Sequence, residues 1–109
     1  MTDIYTAGIW MVKPGREEEF IRLWQRLGER TLDDFPAASG TLLRDRERPH
    51  RFVSFGPWES IEQVDRWRSS PAFQDSVREL RDVLDSFEPG TFDVAIRMRA
   101  SRDRSEGYD

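Results

Sequence analysis

Residues 4–13, IYTAGIWMVK, put apolar side chains on both sides of an extended chain, with Tyr5, Ala7, Ile9 and Met11 on one face and Ile4, Thr6, Gly8, Trp10 and Val12 on the other. The run stops at Pro14-Gly15, a turn signal, so it predicts a first strand with both faces covered. From Glu17 the period lengthens. Phe20, Leu23, Trp24, Leu27 and Thr31 recur at helical spacing, and Glu17, Glu18 and Glu19 sit where the helix dipole favours negative charge. This helix is expected to end near Leu32, because Asp33-Asp34-Phe35-Pro36 brings loop formers and a proline that restricts its predecessor.

Gly40 to Asp45 and Arg51 to Pro57 are short strand-like runs joined by the polar stretch Arg46 to His50, which predicts a β-hairpin. Ser60-Ile61-Glu62-Gln63 has the form of a capping box, opening a helix with Ile61, Val64 and Trp67 on its buried side. Ser70-Pro71 restarts the chain as a second helical piece, in which Phe73, Val77, Leu80 and Leu84 keep helical spacing. Thr91 to Met98 then alternates Phe92, Val94, Ile96 and Met98 against Thr91, Asp93, Ala95 and Arg97, the pattern of a half-buried fourth strand. Residues 100–109 carry no apolar periodicity and read as a frayed tail after a single domain spanning 1–99.

The predicted order, strand, helix, strand, strand, helix, strand, is the ferredoxin-like βαββαβ arrangement of an α+β domain, with helices on one face of a four-stranded antiparallel sheet. Its other sheet face is left bare and apolar, and a second copy is the simplest cover, which predicts a homodimer.

Composition narrows the function. With 109 residues the chain has room for one core, and the absence of cysteine excludes disulfides and thiolate chemistry and points to a reducing, cytoplasmic setting. No run approaches the ~20 apolar residues of a membrane span, and the start lacks a signal-peptide pattern. Seventeen basic and 21 acidic residues are interspersed, so neither nucleic acid nor membrane is an expected partner. One histidine rules out a histidine-rich metal site within a subunit, and no phosphate-cradling glycine loop or serine-histidine-acid set is present.

The aliphatic first strand ending VKPGREEEF, the later FVSFGPWES and the helical DRWRSSPAF together resemble the antibiotic biosynthesis monooxygenase family, from about Tyr5 to Met98. That resemblance implies a dimeric α+β barrel with a pocket between helices and sheet in each subunit. It also implies cofactor-independent monooxygenase chemistry on a phenolic or polyketide-like aromatic, with no cofactor and no metal. A non-catalytic small-molecule binder on the same scaffold is the alternative. A haem-degrading branch is similar around Trp58-Glu59-Ser60 and Trp67-Arg68-Ser69, but its iron-ligating histidine falls on Val77 and its first-strand asparagine at about Ala7. Valine cannot ligate iron. The chain contains no asparagine, so the asparagines of that branch and of some cofactor-free members have no counterpart.

Trp67, Trp58, Phe73 and Trp24 are the candidate walls for a flat ligand, because tryptophan joins a large stacking face to one N–H donor. Core packing is the competing role, since Trp67 continues the Ile61 and Val64 face and Trp24 lies on the apolar face of the first helix. Trp10 belongs to a strand face open to either the core or a dimer interior. Tyr5 is the candidate hydrogen-bond donor to a substrate carbonyl or phenolate, with a sheet-margin position as the alternative. His50 is the candidate general base, provided that the hairpin folds over the pocket mouth; otherwise it is a solvated loop residue.

Overall fold

The computed structural model describes residues 4–99, and the expected tail at 100–109 lies outside them. Seven elements follow in order: β1 (Ile4–Val12), α1 (Glu17–Asp34), β2 (Thr41–Arg44), β3 (Arg51–Trp58), α2 (Ile61–Ser69), α3 (Pro71–Arg81) and β4 (Leu84–Asp93). The strands form one antiparallel sheet in the order β2-β3-β1-β4, with β1 and β3 inside. This is the ferredoxin-like α+β fold expected from the element order.

Local chemistry sets the helix boundaries. The Ser60 side chain accepts a hydrogen bond from Gln63 N at 3.1 Å, and Gln63 Oε1 accepts from Glu59 N at 2.9 Å, one residue earlier than an ideal capping box requires. Ser70 ends α2 and begins α3: its hydroxyl donates to Trp67 O at 2.7 Å and accepts from Phe73 N at 3.2 Å, with Pro71 in the first turn. The bend between the two helices is therefore built into Ser70-Pro71.

The helices cover the sheet face that carries Thr6, Gly8, Trp10 and Val12 of β1 and Phe52, Ser54, Gly56 and Trp58 of β3. Trp10, Val12, Phe20, Leu27, Phe52, Leu80, Val83 and Leu84 form the buried core there. Trp10 thus belongs to the core and not to the outer face. The opposite face is open in the single chain: Leu43, Phe55 and Phe92 are exposed on it beside half-buried Tyr5, Ile9, Met11 and Val53. The covering expected for both faces of β1 is met on the helical side alone.

The fourth strand differs from expectation. It begins at Leu84, which helical spacing assigns to the preceding helix, and ends at Asp93, so only Thr91–Asp93 of the expected Thr91–Met98 strand is paired. Pro89-Gly90 reads as a strand breaker, but β4 is an edge strand with β1 as its partner in the sheet, and an edge tolerates a proline that has no N–H to give. The alternating segment beyond it has no ladder in the single chain, and Ile96 and Met98 are 87% and 97% exposed.

Candidate functional site

The inner sheet face and the helices do not close completely over one another. Between them lies a largely apolar cavity of about 180 Å³, lined from β1, β3, β4, α1, α2, α3 and the 38–40 loop. A cavity near 150 Å³ with apolar walls is enough to hold a benzene ring, so this one encloses one to two rings, and a further fused ring would extend into its open mouth.

All four expected walls line it. Trp24, Trp58, Trp67 and Phe73 come together from α1, β3, α2 and α3, joined on the sheet side by Trp10 and Phe87. The ring centroids of Trp58 and Trp67 are 4.8 Å apart, those of Trp67 and Phe73 4.6 Å, and Phe35 meets Trp58 edge-on at 5.5 Å. Trp10 and Phe87 stack at 3.8 Å with planes 13° apart. A Cβ on Gly8 would stand 2.8 Å from Phe87 Cε1 and 3.3 Å from Trp10 Nε1, so only glycine leaves that stack its space.

Three indole N–H groups are already used. Trp10 Nε1 donates to Ser54 Oγ, Trp58 Nε1 to Thr6 Oγ1 and Trp67 Nε1 to Thr31 Oγ1, each at 2.9 Å. These bonds satisfy donors that would otherwise be buried at a cost of about 1–3 kcal/mol each, and they lock the ring planes. The walls therefore present aromatic faces, while each accepting hydroxyl keeps its own O–H to give. Sequence reasoning missed Thr6, Thr31 and Ser54. Their placement on the same inward phase as the tryptophans was the available signal.

The two catalytic candidates lie elsewhere. Tyr5 alternates with Thr6 and points to the open sheet face, away from the cavity. His50 sits in the β2–β3 turn, where its carbonyl accepts from Val12 N at 2.8 Å, at the opposite end of the sheet from Thr6 and Trp58. Asp45 anchors that turn: its carboxylate accepts from Glu47 N and Arg48 N and pairs with Arg51 at 3.2 Å. Those backbone N–H bonds, with Arg51 and Arg48 adding, hold the Asp45 carboxyl below its usual pKa, and the hairpin does not fold over the cavity.

Among the described residues lining the cavity, Arg68 is the one ionisable group, and sequence reasoning did not select it. No group of three or more potential metal ligands occurs among the described residues, and no described helix is long and apolar enough to cross a membrane.

One wall depends on a close backbone approach. A Cβ on Gly56 would collide with Ser39 O and stand 3.2 Å from Gly40 Cα, so the 38–40 loop rests directly on β3. Gly56→Ala is expected to push this loop off and cost about 1–3 kcal/mol, read from the urea midpoint. An unchanged midpoint would show that the loop yields without cost.

The chain is similar to several solved structures. A mutant of SnoaB, a cofactor-independent oxygenase from Streptomyces nogalater, superposes with a TM-score of 0.79 at 22% identity, over 88% of this chain and 96% of that one. A conserved protein from Methanosarcina mazei Go1 gives 0.77 at 23% identity over 86% and 94%. A Pseudomonas aeruginosa protein gives 0.72 at 17% over 88% and 97%. At such identities the likeness speaks for the fold. No match is found among the curated proteins. The sequence pattern of one family, described as antibiotic biosynthesis monooxygenase, matches residues 4–79, most of the domain, and the chain belongs to that family.

Proposed function

We propose that the protein is a cofactor-independent monooxygenase for a phenolic, polyketide-like aromatic of fused rings, working as a homodimer. The observation that carries this reading is the cavity itself, in which Trp24, Trp58, Trp67 and Phe73 converge around a ring-sized space with their N–H groups largely turned to internal partners. Such a site binds flat rings by contact and excludes water, which favours electron transfer from a substrate anion to oxygen.

For an anthrone-type ring the chemistry balances without another reductant. The substrate loses a proton to give its enolate, which passes one electron to O2. Ring radical and superoxide combine as a peroxide on carbon, and loss of water leaves a new carbonyl. One oxygen atom stays in the quinone, and the other departs as water with the two hydrogens lost from carbon. The proton passes to solvent and one returns from solvent to the peroxide anion before water leaves, because Tyr5 and His50 lie away from the cavity and no carboxylate lines it among the described residues.

The same placement of Tyr5 and His50 favours a second reading, a ring-binding protein without turnover. Oxygen uptake with anthrone decides between them. The oxygenase consumes one O2 per quinone formed above the rate without protein, whereas a binder protects the ring and leaves that rate unchanged or lower. The open face with Leu43, Phe55 and Phe92 supports the dimer, and native mass spectrometry should give twice 12.9 kDa. A monomer at micromolar concentration would contradict it.

A further inference from the structure

Arg68 is held at the cavity wall by two bonds to the edge strand β4: Nη1 donates to Thr91 Oγ1 at 2.6 Å and Nη2 to Gly90 O at 3.0 Å. A guanidinium has five N–H donors, so three remain. Arg16, Arg26, Arg30, Arg44, Arg48, Arg51 and Arg78 pair with carboxylates, whereas Arg68, like Arg22, Arg46, Arg66 and Arg81 on other parts of the surface, has none within ion-pair distance among the described residues, and of these Arg68 alone lines the cavity. Thus the charge in the cavity wall is fixed in place and lacks an anionic partner within ion-pair distance among the described residues.

We propose that Arg68 selects the ligand's charge state, so that the cavity takes rings bearing an ionised oxygen, a phenolate or enolate, seated against the unused N–H groups of this guanidinium. The inference rests on the ring-binding cavity proposed above and adds the chemistry of its occupant. Its physical basis is desolvation. Partial burial lowers the Arg68 pKa from its ordinary value, with the exposed Asp65 giving a smaller opposing contribution, and an arginine stays charged at neutral pH all the same. A partly desolvated cation gains most from an anion brought into the same dry space, and charge-assisted N–H···O⁻ bonds are about twice as strong as neutral ones. For an oxygenase this would hold the substrate in the deprotonated form that reacts with O2, although no carboxylate or histidine lines the cavity among the described residues.

The alternative is a strut, with Arg68 tying α2 to β4 and doing nothing else. Two probes with the same rings separate the roles: 2-hydroxy-1,4-naphthoquinone, an anion at neutral pH, and its neutral methyl ether, titrated by calorimetry. The intact protein should bind the anion roughly ten- to a hundredfold more tightly than the ether, the range of a bond to a charged group. Arg68→Gln should remove that preference and leave the ether's affinity within about twofold, and Arg68→Lys should restore part of it. Equal losses for both probes in Arg68→Gln, or no preference in the intact protein, would overturn the inference and leave the ring cavity standing. Failure of both probes to bind the intact protein would remove the cavity reading, and this inference with it.

Discussion

Trp10→Ala is expected to be the most destabilising single change, costing about 3–5 kcal/mol and lowering Tm by more than about 10 °C. Trp10 is 3% exposed, stacks on Phe87, meets Phe20 at 5.5 Å and donates to Ser54, so its loss opens a void where the core joins the cavity. Neighbouring side chains cannot all collapse into that space, because Val12, Phe20 and Phe52 are already fully packed. Urea and thermal melts at fixed protein concentration check the figure. A loss below about 1 kcal/mol would mean that Trp10 is not the post between core and cavity.

Trp67→Ala should show the reverse balance, with a smaller stability loss of about 2 kcal/mol and a larger effect on ligand. Its ring is half-buried and faces Trp58 and Phe73 across less than 5 Å, while its N–H ties α2 to Thr31 of α1. Removing the indole deletes a wall and releases a helix together. Affinity for 1-naphthol should fall by at least about tenfold. Trp67→Phe keeps an aromatic face and gives up the bond to Thr31, so it should stay within about threefold of the intact protein. Unchanged naphthol binding in Trp67→Ala would make the indole a packing post alone.

Much of the architecture was legible because its boundaries are marked locally. Pro14-Gly15 closes β1, Ser60 opens α2, and Ser70-Pro71 both ends α2 and starts α3; each acts within a few residues of itself. The cavity walls were legible for a related reason, since Trp24, Trp67 and Phe73 occupy the inward phases of their helices and Trp58 that of its strand.

What was illegible depends on pairing across the chain. Indole-hydroxyl bonds that join residues 44, 52 and 36 positions apart leave no trace in local spacing. The misplaced fourth strand had a further effect. With the strand expected to start only at Thr91, Gly90 fell outside it, and the acceptors of the Arg68 guanidinium at Gly90 and Thr91 could not be matched to α2. On a helix whose polar face carries Glu62, Asp65 and Arg66, one more arginine looks like solvated surface. His50 and Tyr5 have chemistry that suits catalysis, and it is the β2–β3 turn and the strand parity, set by pairing across the chain, that carry them away from the cavity.

If the cavity is a ring site, a flat ring enters the space between Trp24, Trp58, Trp67 and Phe73. Titration of 15N-labelled protein with 1-naphthol, followed through the four tryptophan indole N–H signals, tests it most directly. Saturable ring-current shifts are expected at Trp58 and Trp67, lost selectively for Trp67→Ala, with little change at Tyr5 on the open sheet face. Saturation with all four indole signals unmoved, or with shifts confined to the open face around Tyr5 and Phe92, would contradict it.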